Sequence, residues 1–110
     1  MELTYKNDKL RKLCEDPNSK NDLIKKYGVE VAKKLPQRII ELKAFNSLDE
    51  VPTCLPFRRH KLQGNRSNQF AVNITNQYRL IFKHKENNII IEDLREIKKI
   101  EIMEVSKHYE

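Results

Sequence analysis

The sequence predicts an α+β domain: an N-terminal strand, two or three helices, then an antiparallel β-meander packed against those helices. Two observations carry that prediction. Apolar residues recur at spacings of three or four through the first half and at spacings of two after Pro56. Turn-forming residues then divide the second half into short runs. The chain has 110 residues, 38% apolar and 35% charged, which suits one domain spanning 1–110 with a thin core and a heavily ionised surface.

Element by element, "MELTY" sets Leu3 and Tyr5 against polar neighbours, as a short strand does. "NDKLRKLCED" places Leu10, Leu13 and Cys14 on one helical face, and Pro17 stops that helix. "SKND" reads as a capping box, with Ser19 as N-cap and Asp22 three residues on. From there Ile24, Tyr27, Val31, Leu35, Ile39, Leu42 and Phe45 form one stripe. Gly28 and Pro36 interrupt it, so either a kink or two helices joined near Gly28 is expected. "SLDEVPTCLP" is a loop. After it, "RHKLQG" is a strand, Gly64 with Asn65 a turn, "QFAVNIT" a strand through Phe70, Val72 and Ile74, and "NQ" a tight turn into "YRLIFKH". "ENN" turns again. The tail starts as a strand at "III", has a helical or looped middle, and ends as a strand through Ile100, Ile102 and Met103.

No apolar run approaches the roughly 20 residues that cross a bilayer, and "MELTYKNDKLRK" lacks the apolar stretch of a secretory signal, so a cytoplasmic protein without a membrane partner is expected. Cys14 and Cys54 have neither a CxxC spacing nor a histidine cluster. Both are expected to be reduced and buried, with no zinc site. The net charge is +6, and it is unevenly placed. Residues 51–85 hold seven Lys or Arg and no acid, leaving 15 bases against 16 acids elsewhere. A field of one sign on one face favours a polyanionic partner such as nucleic acid.

The densest part of that segment is "FRRHKLQGNR". Alternation puts His60 on the face of Leu62, with Arg59 and Lys61 opposite. If Leu62 lies under the helices, His60 reaches the site only at the rim of the sheet. Arg79, Ile81 and Lys83 share one face of their strand, opposite Leu80 and Phe82. Lys107, His108 and Tyr109 lie at the tail. Internal RNA cleavage needs a base for the 2′-hydroxyl proton, cations for the phosphorane and an acid for the leaving 5′-oxygen. His, Lys, Arg and Tyr supply all three without a metal or other cofactor. There is no GxxxxGK[ST] loop, no HExxH and no carboxylate cluster for magnesium. The bland alternatives are a structural or solvated histidine, with His84 solvated beside Lys83 and Lys85, and surface cations at Arg58 and Arg59. Arg79 could be a structural partner for a buried carbonyl or carboxylate.

The layout, together with "HKLQGNR", an aromatic strand and then "YRLIF", resembles the RelE/ParE toxin superfamily, and within it the HigB-like toxins with their HxLxGxR and WRIxF patterns. The resemblance implies a RelE-like fold and a ribosome-dependent endoribonuclease that cuts messenger RNA in the A site without metal. It also implies partners: a cognate HigA-like helix-turn-helix antitoxin, the ribosome and mRNA. His60 falls on the family's histidine and Arg79 on its strand arginine. HigB-like members end in Asp-Tyr-His where this tail has Lys107, His108 and Tyr109, so His60 shares acid and base duty with either His108 or Tyr109. Arg58, Arg59, Lys61, Arg66, Lys83 and Lys107 are the expected RNA and phosphate contacts. A ParE-like gyrase inhibitor, a non-catalytic co-repressor and a general RNA-binding module are the competing readings.

Overall fold

The computed structural model describes residues 1–64, 68–84 and 92–107. Its order is β1 (Glu2–Tyr5), α1 (Asp8–Glu15), α2 (Lys20–Tyr27), α3 (Val29–Ala44), β2 (His60–Lys61), β3 (Gln69–Asn73), β4 (Tyr78–His84) and β5 (Lys99–Lys107). Short 3-10 turns stand at Pro17–Ser19, Leu48–Glu50 and Leu94–Glu96. The expected turns at Asn65 and "ENN" and the strand at "III" lie outside the described residues, as do Arg66, His108 and Tyr109.

Helix α1 begins where Asn7 Oδ1 accepts from the Leu10 amide at 2.9 Å, satisfying one of the donors a helix start leaves over. Leu10, Leu13 and Cys14 are buried, as their spacing predicts. The capping box at Ser19 does not form. Asp16 instead caps the turn Pro17–Ser19 by accepting from Asn18, and that turn runs straight into α2. Ser19 therefore never takes the extended conformation a capping side chain needs, and it is buried without a capping bond. Gly28, at φ 96°, joins α2 to α3 in a conformation that disfavours a Cβ. Helix α3 continues through Pro36, because Leu35 and Ile39, both nearly inaccessible, hold the flanking turns in the core.

The sheet order is β1-β5-β4-β3-β2, antiparallel except for β1, which runs parallel to β5. At the β3–β4 turn, Thr75 Oγ1 accepts from the amides of Gln77 and Tyr78. Phe70, Val72, Ile74, Leu80, Phe82, Ile100 and Ile102 face the helices and form the main core with Leu35, Ile39 and Leu42. A second, small cluster of Leu62, Ala71 and Ile81, with Met103 against it, lies on the other face. Period-two alternation separates the two sets along each strand. A bulge interrupts β4–β5: Phe82 pairs with Ile102 but Ile81 pairs with Glu104, leaving Met103 as the extra residue.

Two expectations change here. Leu62 does not lie under the helices but packs on the open face. Cys14 is buried, whereas Cys54 is exposed, because it sits in the turn between Val51 and Phe57, whose side chains point inward instead. Burial pushes the Cys14 thiol up to about 12, with the charge of Glu15 adding to it, so that sulfur is protonated and inert at neutral pH.

Candidate functional site

Residue register settles which candidates can share a site. His60 pairs with Ala71, Ala71 with Ile81, and Arg79 stands two residues from Ile81 on the same strand. An even offset keeps the face, so His60 and Arg79 both project from the open side of the sheet. Two strand spacings and two residues separate their Cα atoms, roughly 12 Å. Both side chains are long enough to touch one nucleotide between them. The shift of Leu62 to the open face brings this about, since His60 shares its parity with Leu62.

Arg79 lies opposite Asn73 on one side and Ser106 on the other. Its Nε is shielded from solvent and has no hydrogen-bond partner among the described residues. Such a donor is uncommon in a folded protein and favours a site that an acceptor completes. The bland role considered for Arg79, serving a buried carbonyl, belongs to another residue. Arg38 of α3 is buried, its Nε donates to the Asn73 carbonyl at 2.9 Å, and Nη1 donates to Glu41 at 3.0 Å. Its guanidinium also lies 4.7 Å from the Phe57 ring centre. Asn73 in turn donates its amide to the Phe57 carbonyl at 2.7 Å. Arg38 thus ties α3, the segment before His60 and the strand position opposite Arg79 into one unit. Sequence reasoning missed it, although its placement three residues after Leu35 and four before Leu42 was the available signal.

The remaining cations divide. Lys61 pairs with Phe70 and so has the parity of the helix side, exposed at the edge strand. Lys107, opposite Tyr78, has that parity too. Lys83 is on the open face but forms an ion pair with Glu101 at 3.6 Å. Arg58 is exposed. Arg59 turns inward: its Nε donates to the Val51 carbonyl at 2.9 Å and its amide to the Pro52 carbonyl at 3.0 Å. Burial holds its pKa below the ordinary arginine value, while the Asp49 carboxylate pulls the other way. His84 is not solvated as expected. It is half-buried on the helix-side parity, with a shielded Nδ1 that has no partner among the described residues, because its strand continues the alternation of Leu80 and Phe82.

The site therefore offers an imidazole and a guanidinium on one sheet face, with a small apolar floor of Ala71 and Ile81 between them. That set can bind a phosphate and move a proton. Among the described residues, no group of three or more His, Cys, Asp or Glu is placed to hold a metal ion. No described helix is long and apolar enough to cross a membrane.

No protein-family model and no curated protein matches this chain in sequence. Solved structures match it in shape. A YoeB/ParE toxin from Agrobacterium tumefaciens is similar at a TM-score of 0.54 and 12% identity, over 99% of this chain and 100% of that one. A YoeB dimer from Staphylococcus aureus gives 0.53 at 14% identity, over 99% and 98%. The YoeB–YefM complex from the same organism gives 0.52 at 14%, again over 99% and 98%. The N-terminal strand, the three helices and the antiparallel-dominated sheet are thus those of the YoeB/RelE-like toxin fold.

Proposed function

We propose that this protein is the toxin of a type II toxin–antitoxin pair, HigB-like in its motif, and a metal-independent endoribonuclease that cuts mRNA in the ribosomal A site. The observation that carries the reading is the placement of His60 and Arg79 on the same open sheet face, where Arg79 keeps a shielded donor with no acceptor among the described residues. The cationic segment 51–85 supports a polyanionic substrate. The fold supports the toxin class, and the similar structure of a YoeB–YefM complex supports an antitoxin partner. The motif favours a HigA-like, helix-turn-helix one.

The chemistry is an internal transesterification. A base takes the 2′-hydroxyl proton, O2′ bonds to phosphorus, the bond to O5′ breaks, and an acid protonates O5′. The products are a 2′,3′-cyclic phosphate and a 5′-hydroxyl. Arg79 stabilises charge on the phosphorane oxygens, and His60 shares acid and base duty with His108 or Tyr109.

A second reading, a ParE-like gyrase inhibitor, is favoured by the similarity to a structure named YoeB/ParE toxin. Primer extension on mRNA after induction, beside a gyrase supercoiling assay, separates the two. Codon-positioned cuts are expected from the wild type, and His60→Gln and Arg79→Ala are each expected to lose them and to relieve growth arrest. Full toxicity of Arg79→Ala, or lost supercoiling without cuts, contradicts the assignment.

A further inference from the structure

Arg58 has φ 48°, a left-handed conformation that costs a residue with a Cβ energy and persists where its surroundings offset that cost. The surroundings here are specific. Its amide donates to the Cys54 carbonyl at 2.8 Å, and the preceding Phe57 carbonyl accepts from Asn73. The following Arg59 donates twice back into the loop, to Val51 and Pro52. Val51 and Phe57 anchor the loop's two ends in the core.

The product of this arrangement is the direction of one carbonyl. Arg58 O lies 2.9 Å from His60 Nδ1. A carbonyl oxygen can only accept, so Nδ1 must carry the hydrogen, and the neutral ring keeps its lone pair on Nε2.

We propose that residues 51–59 form a positioning loop that fixes His60 in the Nδ1–H tautomer and makes Nε2 the atom that exchanges the proton during RNA cleavage. This rests on the ribonuclease reading of His60. It gives Arg59 a role other than phosphate contact: Arg59 is a positioning residue, since its Nε is committed to Val51. Arg58 acts through its backbone carbonyl, whatever its side chain does.

The test reads the tautomer directly on isolated protein, without RNA, so it stands or falls separately from cleavage. Long-range proton–nitrogen NMR of histidine-labelled protein, recorded where the ring is neutral, is expected to show a hydrogen-bearing Nδ1 and a lone-pair Nε2 at His60. The reverse pattern overturns the proposal. Arg58→Gly keeps the carbonyl and adopts positive φ without strain, so its tautomer is expected to be unchanged, and a switched tautomer there counts against the loop. Arg59→Lys keeps the charge but not the planar donor to Val51. It is expected to give a mixed tautomer and cleavage lower by roughly tenfold to a hundredfold. Lost cleavage with an unchanged tautomer in Arg59→Lys returns Arg59 to RNA binding and overturns its positioning role.

Discussion

The two faces of the sheet meet at Asn73, and an arginine approaches that position from each side. On the helix side Arg38 is buried, and its donors are matched by the Asn73 carbonyl and Glu41, with the Phe57 ring beneath. On the open side Arg79 sits in the neighbouring strand position with a shielded donor left over. One arginine has its interactions completed by the fold. The other has been partly withdrawn from water without a replacement among the described residues, which is a cost a structural residue has no reason to bear. Stability thus concentrates on one face and unsatisfied bonding capacity on the other.

Substitutions can break or sharpen that contrast. On the helix side, Leu35→Ala empties a fully buried position in the main core and is expected to lower unfolding stability by about 3 kcal/mol, read by denaturant titration. Next come the two arginines as a matched pair. Arg38→Met removes the donors to the Asn73 carbonyl and the Glu41 carboxylate and should cost about 2 kcal/mol. Arg79→Met removes only an unmatched donor and should change stability by less than about 0.5 kcal/mol. Equal losses in the two variants would erase the distinction between the faces.

The smallest loss expected from a matched interaction concerns the seam between α1 and α3, where Lys43 donates to the Glu15 carboxylate. That bond, opposed by burial and helped by Tyr5 and the nearby cations, holds Glu15 below the usual carboxylate range. Because the folded pKa is the lower one, the stabilisation is complete above the unfolded value near about 4.3 and is lost as pH falls through the folded value. Glu15→Gln should therefore cost under about 1 kcal/mol at neutral pH. It should also flatten the acid limb of the stability profile below that range, as followed by thermal melts.

The helical stripe, the break at Gly28 and the alternation of β3 and β4 were legible because each is a repeating pattern with a hydrophobic answer. The elements that failed are those where a local signal competes with a neighbour. Ser19 looks like a cap until the turn ahead of it is known to be helical already. Leu62 is apolar and so reads as core, but β2 pairs over only two residues, too few for periodicity to say which side is covered. Arg38 is hidden by its own charge, which disguises a core position. Register could not be read at all, and without it the shared face of His60 and Arg79 was one of two even possibilities.

The bulge opposite Ile81 has a consequence for shape. Past Ile102 the next inward residue is Val105, three positions on instead of two. A strand lacking Met103 could keep the same partners for Glu101, Ile102, Glu104 and Val105 as a plain ladder, so the additional residue is not needed for adhesion. What such an inserted residue supplies is bending: bulged strands kink locally and take a stronger right-handed coil, two residues along β4 from Arg79.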